Sequence, residues 1–192
     1  MTKKKKIMLI LAVIVGVLIG LNFILEKQIH IKKELEISQN VEVVWEIMGK
    51  QFAQVDQWST NFKTSKPSGS STFAGLEYSE RITLTNRGET IQVLDSFDST
   101  KHKLTYHITK GKPGIAKQAS AVWSLNTIDA NKSTVVLEFD MTTKGLLGFL
   151  MTPLIKKGIG KSASEIAEDL KYYVENGEPH PRKVEAIKNQ NN

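Results

Sequence analysis

The stretch T-P-L-I-K-K-G-I-G-K-S-A-S-E-I-A-E-D-L-K-Y-Y-V, Thr152 to Val174, decides the fold. Ile155, Ile159, Ala163, Ile166, Ala167, Leu170 and Val174 recur at steps of three and four, the spacing that gathers side chains on one face of an α-helix. Lys156, Lys157, Lys161, Glu165, Glu168, Asp169 and Lys171 fill the rest of the arc. Thr152 is placed to cap the first turn, and Pro153 suits the first helical position, where its missing N–H costs nothing. Asn176 and Gly177 supply a stop. A helix from Pro153 to Val174 is about 33 Å long, so its apolar stripe needs a cover of comparable length.

The middle of the chain offers strands for that cover. Ile29, Ile31, Leu35 and Ile37 alternate along one face, with Lys33 the exception. Ser38 or Asn40 caps a short helix whose apolar side is Val41, Val44, Trp45 and Met48, and a second short helix or turn covers Phe52 to Trp58. Asn61 to Thr72, rich in Ser, Lys, Pro and Gly, reads as a long loop. Five strands follow. Leu76, Tyr78, Ile82 and Leu84 share a face with Glu80; Ile91, Val93 and Phe97 share one with Asp95; then come Leu104, Tyr106 and Ile108, next Ala121, Trp123, Leu125 and Thr127, and last Val135, Leu137, Phe139 and Met141. Hairpin-sized turns make the sheet mostly antiparallel. The segments are residues 1–27, a lysine cluster and apolar segment; 28–176, one folded domain; and 177–192, a loosely held polar tail.

Lys3 to Lys6 precede an apolar run from Ile7 to Leu25 in which Asn22 is the only strongly polar side chain. Nineteen helical residues span about 28 Å, close to the hydrocarbon thickness of a bilayer. A cleaved signal peptide shares this pattern, but the run is long for one and F-I-L-E-K-Q lacks a small-x-small cleavage site. The expectation is a single-pass anchor with the lysines on the cytoplasmic side and the folded domain on the other. Four lysines against Glu26 carry half of the net charge of +6. The high isoelectric point is thus largely a property of the anchor, and no nucleic-acid partner is expected. With no cysteine in the chain, disulfides and thiolate catalysis are excluded.

The order strand, two short helices, five strands, long helix carries I-H-I-K-K-E-L-E-I-S-Q-N-V-E-V-V-W-E-I-M from Ile29 to Met48, D-Q-W from Asp56 to Trp58, and G-L-E-Y-S-E-R from Gly75 to Arg81. Together these resemble the START-like or SRPBCC superfamily, which includes polyketide cyclase-like, Bet v 1-like and lipid-transfer proteins. The resemblance implies an α+β helix-grip fold: a curved, mostly antiparallel sheet wrapped around the long C-terminal helix, with an apolar cavity between them, here preceded by one transmembrane helix. It implies a lipid or other hydrophobic small molecule as partner. Cyclase or dehydratase chemistry, and a protein-interaction scaffold with a filled core, are the alternatives.

Tyr78, Tyr106, Trp123, Phe139, Ile159, Ala163 and Ile166 are the candidate cavity lining, although the same residues serve a filled core equally well. Glu80, Asp95 and Lys33 interrupt apolar faces. A charge there must be paired, shift its pKa or meet a ligand, and Glu80 and Asp95 join the candidate site. His30, His102, His107 and His180 are scattered, so no metal is expected. There is no G-x-S-x-G elbow and no P-loop spacing, and Glu77 and Glu80 fall on opposite strand faces. No catalytic residue and no cofactor are assigned. Leu146 to Met151 reads either as a covered loop or as an apolar lip that touches lipid with Lys144, Lys156 and Lys157.

Overall fold

A computed structural model describes residues 3–189 of the chain; the expectations for residues 1–2 and 190–192 lie outside them. Helix α1 (Lys3–Ile24) leads into strand β1 (Glu26–Ile37). The Asn40 side chain accepts the Glu42 N–H at 2.8 Å and caps α2 (Val41–Trp45), which continues as one π-type turn, Glu46–Lys50, and a 3₁₀ segment, Phe52–Gln57. Strands β2 (Thr64–Ser68), β3 (Glu80–Thr85), β4 (Gly88–Asp98), β5 (Lys103–Lys110), β6 (Ala116–Asp129) and β7 (Lys132–Lys144) precede α3 (Gly145–Asn176) and α4 (Pro181–Lys188). The seven strands form one antiparallel sheet in the order β1-β7-β6-β5-β4-β3-β2. The long loop expected over Asn61 to Thr72 contains the edge strand β2.

The sheet packs one face on α3, α2 and the 3₁₀ segment. Ala163, Ile166, Ala167, Leu170 and Val174 of the expected stripe are buried, and Gly177 ends α3 in the left-handed conformation, φ 74°. The start of the helix differs from the expectation. It begins at Gly145, so Pro153 lies inside it, and the Thr152 hydroxyl donates to the Gly148 carbonyl at 2.9 Å rather than capping a first turn. The first N–H groups of a helix have no partner within it. Here Gly145 N donates to the Leu25 carbonyl at 2.8 Å and Leu146 N to Asn22 Oδ1 at 3.0 Å, so the end of α1 caps α3.

The expected loose tail is corrected over residues 181–188, which form a docked helix. The α4 residue Lys183 is buried and donates to the Phe62 carbonyl at 2.7 Å. Arg182 Nε donates to Asp169 Oδ1 at 2.6 Å. Asp169, on the polar arc of the α3 pattern, is fully buried because Arg182 and the Thr60 N–H (2.7 Å) neutralise and hydrogen-bond it.

Candidate functional site

Side chains alternate along a strand, so the register fixes which of them meet on the concave face. One cross-strand row there is Leu94, Tyr106, Ala121, Phe139 and Ile31. The neighbouring row runs Arg81, Gln92 and Ile108 on β3 to β5, and Ala119, Met141 and Ile29 on β6, β7 and β1. From the first row toward α2, the interior is solid: Trp45, Met48, Phe52, Trp58, Leu104, Trp123 and Leu137 are all buried. Toward α1 it loosens. Ile31, Ile108, Phe139 and Met141 on the sheet, and Ile155 and Ile159 on α3, are only half-buried. The concave face therefore passes from a packed aromatic end to an apolar, half-covered end.

Arg81 sits at that transition with 0% of its surface exposed. Nε donates to Gln92 Oε1 and Nη1 to the Phe52 carbonyl, both at 2.6 Å. The guanidinium carbon lies 3.6 Å from the centre of the Phe52 ring and 5.2 to 5.4 Å from those of Trp123, Phe62 and Tyr106. These rings supply cation–π attraction and the Tyr106 hydroxyl lies close to the guanidinium, but no carboxylate bonds to the charge among the described residues and Nη2 makes no well-formed hydrogen bond. Trp123 Nε1 and Trp58 Nε1 are unpartnered too, and these indoles lie 6.4 Å apart between ring centres. A buried donor short of an acceptor costs about 1–3 kcal/mol, so the free valence of the Arg81 guanidinium is costly for a core and useful for meeting an acceptor.

Burial lowers the Arg81 pKa to about 10, partly opposed by the nearby Tyr106 and Tyr78 hydroxyls, and the group stays cationic at neutral pH. Burial pushes the Tyr106 hydroxyl up, with Arg81 pulling the other way, so Tyr106 is a neutral phenol there. Tyr78, half-buried, accepts the Ala53 N–H at 3.2 Å and donates to the Lys50 carbonyl at 3.0 Å; burial raises its pKa as well. Its hydroxyl is thus committed to holding the 3₁₀ segment against the sheet.

The structure brings Tyr106, Trp123, Phe139, Ile159, Ala163 and Ile166 to the concave side, between sheet and α3. It removes Glu80 and Asp95. On β3 the inward residues are Arg81 and Thr83, which leaves Glu80, Ile82 and Leu84 on the opposite face. On β4 the inward residues are Gln92 and Leu94, and Ile91 and Val93 point away. The polar choice is stable because Arg81 opposes Gln92 and Thr83 opposes Thr90 in the ladder, the two threonine hydroxyls lying 2.6 Å apart. A bulge between Leu94 and Ser96 extrudes Asp95. Its carboxylate pairs with His107 Nδ1 at 2.7 Å in an exposed contact. Apolar alternation passes over Arg81 because it points to Ile82 and Leu84. The signal that would have found it is the hairpin register, which sets Arg81 opposite Gln92.

Two hollows, of about 410 and 190 Å³, lie along the ends of β5 and β6 and over β1, β6 and β7. They are lined by polar groups such as Lys117, Gln118, Ser120, His30 and Asp140 together with Ile108, Ala119, Ile29 and Met141 of the second row, and neither includes Arg81.

The fold has many relatives among solved structures. The protein XoxI from Bacillus cereus is 21% identical with a TM-score of 0.61 over 79% of this chain and 99% of its own. A START superfamily protein from Mycobacterium smegmatis is 15% identical with a TM-score of 0.64 over 76% of this chain and 97% of its own. The Zhui aromatase/cyclase from a Streptomyces species is 12% identical with a TM-score of 0.61 over 80% of this chain and 100% of its own. No curated protein matches the chain. The seven-stranded sheet gripping α3 is the START-like fold, and the match to the family described as polyketide cyclase / dehydrase and lipid transport extends over residues 28–175, from β1 almost to the end of α3, so the chain belongs to that family.

Proposed function

We propose that this chain is a membrane-anchored, noncatalytic binding domain for an amphiphile whose apolar body lies between α3 and the two concave rows and whose negatively charged or acceptor-rich head meets Arg81. The observation that carries this reading is the fully buried Arg81 guanidinium, cationic, with no hydrogen-bonded carboxylate among the described residues and no well-formed hydrogen bond at Nη2. Phe139, Ile159, Ile108 and Ile31 at the half-covered end suit the body of such a ligand. The noncatalytic part of the reading rests on the composition of the two rows, which contain no histidine or carboxylate to act as acid or base.

Helix α1 is long and apolar enough to cross a membrane, and the reading takes it as the anchor, with Lys3 to Lys6 cytoplasmic and the folded domain on the opposite side. The test is to purify the full chain in mild detergent, release what it carries and weigh it by native mass spectrometry, then titrate the emptied protein with cis-parinarate. The expected result is a bound amphiphile bearing an acidic head and saturable parinarate binding that the Arg81→Met substitution weakens at least about tenfold, the effect of losing one charge-assisted contact of about 1.4 kcal/mol. A protein that carries nothing and binds no parinarate contradicts the reading.

A further inference from the structure

We propose that the first turns of α3 lie in the lipid–water interface of the same membrane that α1 crosses, a placement that rests on α1 being the anchor. Leu147, Leu150 and Leu154 are 61%, 64% and 62% exposed, on a helix whose opposite side, Gly148 and Thr152, is buried. Steps of three and four put the three leucines on one line, and the exposed Lys157 and Lys161 continue it. The line thus runs from apolar to basic along the helix. Its apolar part runs about 10 Å along the helix at 1.5 Å per residue, two turns that can lie in the interface plane with the leucines facing the acyl chains.

The junction with α1 identifies the membrane as the occupant of this face. Leu146 N donates to Asn22 Oδ1 at 3.0 Å and Gly145 N to the Leu25 carbonyl at 2.8 Å. Gly145, with φ 73°, has the left-handed conformation, and a Cβ on it would collide with Asn22 Oδ1. These contacts tie the start of α3 to the last turn of the apolar run, where a helix crossing the bilayer reaches the headgroup level. Phe23 and Ile24 at the end of α1 are also exposed, at 83% and 74%. Leu147, Leu150 and Leu154 therefore begin at the membrane boundary, and Lys157 and Lys161 follow at a distance from it suited to anionic headgroups. The half-covered end of the concave face, with Ile155 and Ile159 on this same part of α3, then opens beside the lipid.

Because the chain has no cysteine, a spin label can be placed at one introduced cysteine at a time: Leu150→Cys, Val15→Cys in α1, and Ser99→Cys in the β4–β5 turn. The full chain is reconstituted in phosphatidylcholine vesicles with and without phosphatidylglycerol, and label accessibility to oxygen and to a water-soluble nickel chelate is measured. The expected result is that the Leu150 label shifts to the oxygen-rich, nickel-poor side with the Val15 label, while Ser99 stays accessible to nickel. Adding phosphatidylglycerol deepens the Leu150 shift, and Lys157→Gln with Lys161→Gln removes that increment. A Leu150 label as nickel-accessible as Ser99, with Val15 protected, overturns the proposal. Spin–spin broadening at Leu150 also overturns it, because a second copy then covers the leucines. Nickel access at Val15 overturns the anchor and this proposal together. Parinarate binding is read on the same vesicles, so loss of the ligand reading is separately visible.

Discussion

Arg81 and Gln92 are Cα partners in the β3–β4 ladder, and Arg81 Nε donates to Gln92 Oε1 at 2.6 Å with both side chains buried. The pair makes the polar side of β3 the inward side. The two ends of the pair should respond unequally to substitution. Gln92→Leu leaves a buried charge short of an acceptor and is expected to destabilise the fold by about 2–3 kcal/mol. Arg81→Met removes the charge with its desolvation cost but strips the Gln92 and Phe52 acceptors of their donor, so a smaller loss of about 1 kcal/mol is expected. Urea unfolding of the two variants checks this; a larger loss in Arg81→Met than in Gln92→Leu contradicts it.

Ile159 projects from α3 at the half-covered end of the concave face. Ile159→Trp is expected to fill the ligand space and weaken parinarate binding about tenfold or more, a change of about 1.4 kcal/mol, without lowering the unfolding midpoint. Unchanged affinity places the ligand elsewhere.

Helix α4 is held by Arg182 to Asp169 and by Lys183 to the Phe62 carbonyl. Arg182 is itself partly exposed, so Arg182→Ala is expected to cost about 2 kcal/mol, less than the full penalty for stranding a buried charge. Asp169→Asn in the same chain should restore part of that loss. Hydrogen exchange should rise over α4 and at Thr60, whose N–H bonds to Asp169 at 2.7 Å. Equal protection in wild type and Arg182→Ala contradicts the clasp.

The β4–β5 turn contains a carboxylate with a clear acid dependence. Asp98 is held down to about 2 by the Thr100 hydroxyl and then by the Lys101 N–H. A carboxylate with a lowered folded pKa contributes fully above its unfolded value of about 3.9 and loses that contribution as pH falls toward the folded one. The Thr100 and Lys101 amide resonances should therefore move with a midpoint near 2 and stay flat through that range in Asp98→Asn. A midpoint near 4, the ordinary carboxylate value, contradicts the turn geometry.

The long-range architecture is readable in the chain because two strong periodicities carry it: the stripe from Ile155 to Val174 and the alternation along β1, β5, β6 and β7. Tyr106, Trp123 and Phe139 fall on the concave face for that reason. The facing of β3 and β4 is not readable from apolar alternation, since Arg81 with Gln92 and Thr83 with Thr90 satisfy one another only once the hairpin has formed. Apolar alternation places Asp95 inward because a bulge leaves no trace in a period of two. Leu146 to Met151 is hard to read because the usual pattern is reversed there, with leucines on the exposed side of α3 and Gly148 and Thr152 on the buried side. Docking of α4 depends on two cations in a polar tail, Arg182 and Lys183, whose partners are distant in sequence.

The central claim, that the free side of Arg81 receives an anionic head, is tested most directly by the ionisation of a bound carboxylate. Palmitate labelled with carbon-13 at its carboxyl is added to the full chain, and its resonance is followed from neutral pH downward in wild type and in Arg81→Met. The account predicts that in wild type the carboxyl stays ionised to at least about one pH unit below its midpoint in Arg81→Met, since a guanidinium at hydrogen-bond distance favours the charged form while an apolar cleft disfavours it. The same midpoint in both proteins would contradict the account.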